Sequence, residues 1–356
     1  MNVGKDRPAK PPKRQKHQEG EVDALRGELE RLAAKPGPVL AGPFTGEIGF
    51  ELLYWIPLLR WAVREVPALR GRLVVMSRGG VESWLEGLDA TYVELLSLFP
   101  TDDFARHRAL SDKQRELREF DHRVLDAVKQ RLELDDPGVL HPSLLYNAYF
   151  RLLKTNELAY AKAVTHHEGH ADGLTAIYRP IDPPRFDDDL SFLPDDFVAV
   201  RFYSSESFPD APESRALAST VTASLAAATN VVMLGHPFDI DDHGDVASDR
   251  PDGVVDATHL MTPANNLGIQ TAIIARARAF VGTYGGFSYL SPFLRVPSLS
   301  FTMDRARTHS WHNVLAQRLF DGPAFGNYVS LRHEDLPLIE LVTAGLLREG
   351  VGEAAP

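Results

Sequence analysis

The chain contains no cysteine, which excludes disulfides, thiolate zinc sites, iron–sulfur clusters and cysteine nucleophiles together and leaves all chemistry to oxygen and nitrogen ligands. Lysine is confined as well, since all nine lie at or before Lys162. The carboxyl half must therefore meet any anion with arginine, histidine or backbone amides. It has no Gly-Lys pair of a Walker loop and no lysine for a Schiff base. No apolar run of about 18 residues occurs, and the amino end reads MNVGKDRPAKPPKRQK without a hydrophobic centre, so neither a membrane span nor a secretory signal is expected. The expected location is the cytoplasm. No short internal repeat is visible, which argues against a solenoid.

What the chain does have is the composition of a folded protein with a sizeable core: 356 residues, 44% hydrophobic and 24% charged. That length fits roughly two domains. The formal charge is -11, but residues 1–20 carry +4 and the remainder -15. A duplex nucleic-acid partner is therefore not expected.

Residues 1–20 are rich in proline and lysine and lack hydrophobic periodicity, so they read as a disordered basic tail. Residues 21–35 place Val22, Leu25, Leu29 and Leu32 at helical spacing, a short amphipathic helix. That helix could dimerise the protein, the tail could meet an anionic membrane face, or the helix could simply dock on the fold. From Pro36 the pattern becomes strand (PVLAGPF), glycine turn (Gly46 to Gly49), striped helix, then a second strand (RLVVMS). Residues 111–134 read as one long charged helix, and 176–196, with four prolines, as a linker. A second alternating series follows: strands FVAVRFY, 231–235, AFVGT, PSLSFTM and NYVSL, with helices at 215–229, 263–278, 287–294, 309–320 and 335–347. Thr262 with Pro263 looks like the cap of the second of these helices. The economical fold is α/β, with two Rossmann-like doubly wound domains facing a cleft. The expected boundaries are an N-terminal domain over 36–175, the linker over 176–196, a C-terminal domain over 197–334, and a closing helix and tail over 335–356.

Several segments could carry chemistry. The strand AFVGT runs into Thr283-Tyr284-Gly285-Gly286 and a helix starts at once, so bare amides at a positive helix end could hold a diphosphate, with Thr283 and Ser288 adding hydroxyls. A packing turn would look the same. Arg201 ends the strand FVAVRFY, where a guanidinium could clamp a diphosphate or pair with linker aspartates. The cluster Asp239, Asp241, Asp242, His243 and Asp245 offers oxygen ligands for a cation, or a loop for ribose or base in which Asp242 and His243 would serve. His166, His167 and His170 have metal-compatible spacing but sit in a polar segment. Glu47 follows the first strand through Gly46, and Glu51 lies one turn on, near Gly49. Either carboxylate could take a proton from a hydroxyl; equally, Glu47 could serve the helix dipole and Glu51 pair with an arginine such as Arg78.

The segment FVGTYGGFSYLSPFLRVPSLSF resembles the donor-site block of GT-B glycosyltransferases, with fucosyltransferase-like and heptosyltransferase-like members nearest. GPFTGEIGFELLYWIPLLR, VRFYSSESFPD and LGHPFDIDDHGD resemble blocks of bacterial members of that superfamily. Where fucosyltransferases carry a doubled arginine, this chain has Arg201 alone, which leaves base and sugar open. The resemblance implies a transferase moving a sugar from a nucleotide-sugar donor to a glycan or lipid-linked acceptor in cell-surface polysaccharide synthesis. In that role Glu47 and Arg201 are catalytic, and Thr283, Tyr284, Gly285, Gly286, Ser288, Asp242 and His243 hold the donor. Glu51, Gly46 and Gly49 rank second, and no cofactor or metal is expected. A nucleotide-sugar epimerase and a non-catalytic scaffold remain alternatives.

Overall fold

The computed structural model describes residues 13–110, 114–145, 178–184, 190–238, 240, 244–246, 251–303 and 310–334. Helix α1 (Lys13–Ala34) begins earlier than its hydrophobic spacing indicates. It takes in part of the stretch read as tail, because residues 13–19 are mostly Lys, Arg, Gln and Glu, all good helix formers. Leu25 and Leu29 bury its inner face.

The first sheet contains β1 (Val39–Ala41), β2 (Leu73–Ser77), β3 (Thr91–Glu94) and β4 (Gly138–Leu140) in the order β3-β2-β1-β4. The second contains β5 (Phe197–Arg201), β6 (Asn230–Met233), β7 (Val255–Asp256), β8 (Ala279–Thr283), β9 (Ser298–Thr302) and β10 (Tyr328–Arg332), ordered β10-β9-β8-β5-β6-β7. Every pairing is parallel. β5, β8 and β9 are buried throughout, as parallel strands covered on both faces must be, although β9 (SLSFT) alternates polar and apolar residues. In each sheet the strand order reverses at one place, beside β1 and beside β5, and ligands in such sheets collect beyond the carboxyl ends of those strands.

The chain after β1 forms one long helical stretch: α2 (Ile48–Phe50), a π turn (Glu51–Trp55) and α3 (Ile56–Glu65). Of the charged segment read as one helix over 111–134, the described residues are helical only in α5 (Glu119–Arg131), and a separate helix, α4 (Thr101–Leu110), precedes the segment. The Asp121 carboxylate accepts the Arg118 N–H at 2.9 Å and so starts α5 afresh. In the second half come α6 (Pro212–Ala226), α7 (Asn266–Ile274), α8 (Gly286–Phe293) and α9 (Ser310–Leu319). Thr262 does not cap α7: its N–H donates to the Asn265 side chain at 2.6 Å, and Asn265 holds the cap position. Nor does α7 reach Arg278, whose N–H is bonded to the Phe197 carbonyl at 2.9 Å beside β8. The helix expected over 335–347 lies outside the described residues.

Period-two alternation divides the apolar residues of the strands. Leu40, Val74 and Met76 face one core with Phe104 and Phe120, and Val198 and Val200 face another with Phe301 and Leu217. The opposite faces, carrying Val39, Ala41, Phe197 and Ala199, share a single core with Trp55, Trp84, Leu267 and Phe293. The halves are thus joined by packing as well as by chain. Trp84 Nε1 donates to Thr271 Oγ1 at 3.0 Å, and the Gly268 N–H to the Gly79 carbonyl at 2.8 Å. The proline-rich tract also packs where it is described: the Tyr178 hydroxyl donates to the Leu53 carbonyl at 3.0 Å and the Ile181 N–H to the Phe293 carbonyl at 2.8 Å.

Candidate functional site

A cavity of about 530 Å³ opens beyond the carboxyl ends of β1 and β5, and both halves line it. Glu47, Gly49 and Arg78 come from the first; Arg201, Ser204–Ser207, His236, Asn266, Tyr284–Phe287 and His312 come from the second. The helix starts at Ile48, Asn266 and Gly286 therefore all border one space and bring the positive ends of their dipoles to it, although at the second of them the Asn266 and Gly268 N–H groups are already bonded to the Thr262 and Gly79 carbonyls.

Arg201 ends β5 and lies in register with Gly282 of β8, which brings the strand end beside the glycine turn. It is only 3% exposed. Its Nε donates to Asp245 at 3.0 Å, its Nη1 to Gln270 at 2.6 Å, and its guanidinium lies 4.4 Å from the centre of the Phe287 ring. The ion partner is therefore Asp245, not a linker aspartate. Asp245 uses its other oxygen to accept the His236 N–H at 3.0 Å, so the guanidinium is held in one orientation at the cavity wall.

The glycine turn proves to be built differently from its sequence reading. Gly285 has φ +120°, and a Cβ there would stand 2.9 Å from the Tyr203 hydroxyl, so this position requires glycine. Gly286 is bare for another reason: its Cβ would stand 2.9 Å from the Cβ of Ile48, in the other half of the molecule. The start of α8 and the start of α2 touch there. Thr283 cannot serve a diphosphate, because its hydroxyl donates to the Tyr203 carbonyl and accepts the Tyr203 N–H, both at 2.9 Å. The Ser288 hydroxyl is likewise used, donating to the Gly285 carbonyl at 2.8 Å and accepting the Gly285 N–H at 3.0 Å. Both are side chains that hold the turn. Tyr284 borders the cavity, its phenol pushed far up by burial. Asp239, Asp241, Asp242, His243 and the histidines 166, 167 and 170 lie outside the described residues. Among the described residues no three His, Asp or Glu side chains are grouped to hold a metal ion.

On the opposite wall Glu47 occupies the N-cap position of α2 without capping it, and no described residue hydrogen-bonds its carboxylate. The turn that presents it is clamped from two sides. Gln114 accepts the Thr45 N–H at 2.9 Å and donates to the Pro43 carbonyl at 2.7 Å, while Arg78 Nη2 donates to the Gly46 carbonyl at 2.5 Å. Glu51 does not reach the cavity. It is fully buried, accepts the Ser77 hydroxyl at 2.5 Å and lies 3.5 Å from Arg78 Nη1. Burial pushes its carboxyl up to about 7, an effect that Arg78 and Ser77 partly offset. Gly49 lies against Tyr289, whose ring would be 3.4 Å from an added Cβ.

Arg78 could have been picked out from its place directly after RLVVMS, at a strand end as Arg201 is. Gln114, Gln270 and His312 gave no such signal. His312 arrives from α9, and its Nδ1 lies 2.7 Å from the Tyr54 hydroxyl of the other half. No described helix is long and apolar enough to cross a membrane.

No protein-family model and no curated protein matches the chain. Among solved structures, a glycosyl transferase family 9 protein from Veillonella parvula DSM 2008 is 11% identical at a TM-score of 0.44, over 88% of this chain and 98% of that one. E. coli ADP-heptose LPS heptosyltransferase II is 13% identical at 0.45, over 89% and 100%. The E. coli heptosyltransferase WaaC with ADP is 15% identical at 0.40, over 88% and 99%. Two of the three are heptosyltransferases, one of the kinds that the sequence blocks resemble. At such scores the likeness carries no weight beside the geometry of the cavity.

Proposed function

We propose that this chain is a GT-B type glycosyltransferase that moves a sugar from a nucleotide-sugar donor to a glycan or lipid-linked acceptor. One observation carries the reading: a single cavity receives a buried, oriented arginine and two helix starts from one half and, from the other, a carboxylate that no described residue hydrogen-bonds. The arginine and amides suit a diphosphate; the carboxylate suits a hydroxyl.

In this mechanism the donor diphosphate lies against Arg201 and the positive ends of α7 and α8, with Tyr284 and Gly285 beside it. Glu47 takes the proton of the acceptor hydroxyl, the oxygen attacks the anomeric carbon, and the bond from that carbon to the diphosphate breaks. Negative charge then grows on the leaving diphosphate, where fixed donors stabilise it most. Thr283 and Ser288 act on the shape of the turn. The charge is carried by arginine and backbone dipoles, so the proposed transfer is metal-independent and EDTA should leave its rate unchanged. A rate lost to EDTA and restored by manganese or magnesium would move the role to the 239–245 loop.

On the same reading the enzyme works in the cytoplasm on cell-surface polysaccharide precursors, with its basic first residues against the inner membrane face and α1 available for a homodimer. The test is a thermal-shift screen against nucleoside diphosphates and nucleotide sugars, followed by transfer of labelled sugar from whichever donor binds. Selective stabilisation and acceptor-dependent turnover are expected. Donor turnover without acceptor would indicate epimerisation, binding without turnover a scaffold, and a flat screen would remove the donor site.

A further inference from the structure

The turn that presents Glu47 rests on Gln114, and Gln114 in turn meets a carboxylate on which three elements of the first half converge. Asp121, in the first turn of α5, is fully buried. One of its oxygens accepts the Arg118 N–H at 2.9 Å and lies 3.6 Å from Nε2 of His141, the residue after β4. The other accepts from Gln114 Nε2 at 3.4 Å and lies 3.7 Å from Nε2 of His107 on α4. His141 Nδ1 accepts the Ser143 N–H at 3.1 Å, so its ring proton sits on Nε2 and faces the carboxylate. Burial raises the Asp121 carboxyl, but His141 and the Arg118 N–H outweigh it and hold the group below the usual carboxylate range. Asp121 is therefore ionised at neutral pH and only accepts hydrogen bonds.

That restriction decides which way round the Gln114 amide sits. Its Nε2 donates to the Pro43 carbonyl at 2.7 Å and to Asp121, while its Oε1 accepts the Thr45 N–H at 2.9 Å. Turned end for end, Oε1 would stand against two oxygens and the Thr45 N–H would meet an NH₂. We propose that Asp121 is a positioning residue for the transfer: by orienting the Gln114 amide it sets where the turn after β1 holds the Glu47 carboxylate in the cavity. Asp121 touches neither Glu47 nor substrate. This role rests on the transferase reading, with Glu47 as the base. Asparagine cannot take it over, because both sides of the carboxylate face donors, and an NH₂ would meet either Gln114 and His107 or the Arg118 N–H and His141.

The test is a double-variant cycle on the full chain with Asp121→Asn, Gln114→Met and the two combined. Transfer gives kcat and donor KM, and hydrogen exchange of the Thr45 amide reports on the turn without substrate. Asp121→Asn should lower kcat about tenfold, since a misplacement of about 1 Å can cost about 100-fold, and should leave donor KM within about twofold. Thr45 exchange should quicken about tenfold. In the Gln114→Met background the same substitution should change neither kcat nor exchange further, although Tm still falls there through the weakened start of α5. A carboxylate that only stabilises the fold would lower Tm in both backgrounds and leave kcat of the folded protein alone. A second comparison does not need Asp121→Asn to fold: Gln114→Glu keeps the acceptor for Thr45 but sets an oxygen against Asp121, so it should lose more kcat than Gln114→Met. Normal kcat and exchange in Asp121→Asn overturn the proposal, and so do equal falls in both backgrounds or a Gln114→Glu milder than Gln114→Met. A parent that transfers no sugar refutes the transferase reading instead; Thr45 exchange then decides whether Asp121 holds the turn, and unchanged exchange overturns that too.

Discussion

Burying Glu51 should make stability depend on pH in a window where ordinary carboxyls are silent. In the unfolded chain this group titrates near 4.5, and in the fold it is held up to about 7, chiefly by burial. The native state therefore holds the proton more tightly than the unfolded state does. Its stabilising effect is complete below pH 4.5 and is lost as pH rises through about 7. Each pH unit in that interval removes about 1.4 kcal/mol, so the whole window amounts to about 3 kcal/mol. The assay is urea unfolding of the parent and of Glu51→Gln at intervals from pH 4.5 to 8. In the variant the amide still accepts from Ser77 but turns an NH₂ toward Arg78, so the two proteins will differ by a constant offset. The slope is the test. Glu94, also raised by burial and accepting the Tyr92 hydroxyl at 2.5 Å, is present in both proteins, so its titration largely cancels in the difference. The parent should lose about 3 kcal/mol more than the variant between pH 4.5 and 8. Parallel profiles would refute the reasoning, because they would show that Arg78 and Ser77 fully compensate the buried charge.

Three further outcomes test the site. Arg201→Ala should weaken nucleotide binding and slow transfer together, by about 1.5–3 kcal/mol for one charge-assisted contact, whereas Glu47→Gln should lower turnover about 100-fold or more with donor affinity intact. Equal donor affinity in Arg201→Ala, or near-normal turnover in Glu47→Gln, would detach that residue from its role. Gly286→Val drives a side chain into Ile48 and should cost about 1–3 kcal/mol in chemical denaturation, relieved by adding Ile48→Ala; unchanged stability would mean that the two helix starts do not touch. Gln114→Ala leaves the Thr45 N–H and Pro43 carbonyl unmatched and should cost about 1–3 kcal/mol, with turnover falling more than donor binding. A variant equally active at every donor concentration would show that the Glu47 turn holds its shape without the clamp.

The local grammar of the chain was legible in its residues. AFVGT runs between a charged helix end and a glycine pair, and β8 occupies those five residues. Alternation of strand and helix foretold parallel sheets, and the places after PVLAGPF and FVAVR were recognisable as strand ends where ligands gather. Glu47 and Arg201, drawn from segments some 150 residues apart, were read as facing one space, and both line the same cavity. Charge density made the helix read over 111–134 start too early, because the Asp121 carboxylate accepts the Arg118 N–H and opens the helix only at Glu119.

What sequence alone determined here is whatever depends on neighbours along the chain: apolar runs, helix starts, and glycine where φ is positive. Which partner each polar group takes was decided by tertiary structure. Thr283 and Ser288 looked like hydroxyls offered to a ligand, yet each is used by backbone, one by Tyr203 some 80 residues away. Gly286 looked bare for a phosphate and is bare for Ile48. Hydrogen bonds and contacts act over about 3–4 Å in space, and nothing in the order of residues says which distant groups the fold will bring within that reach.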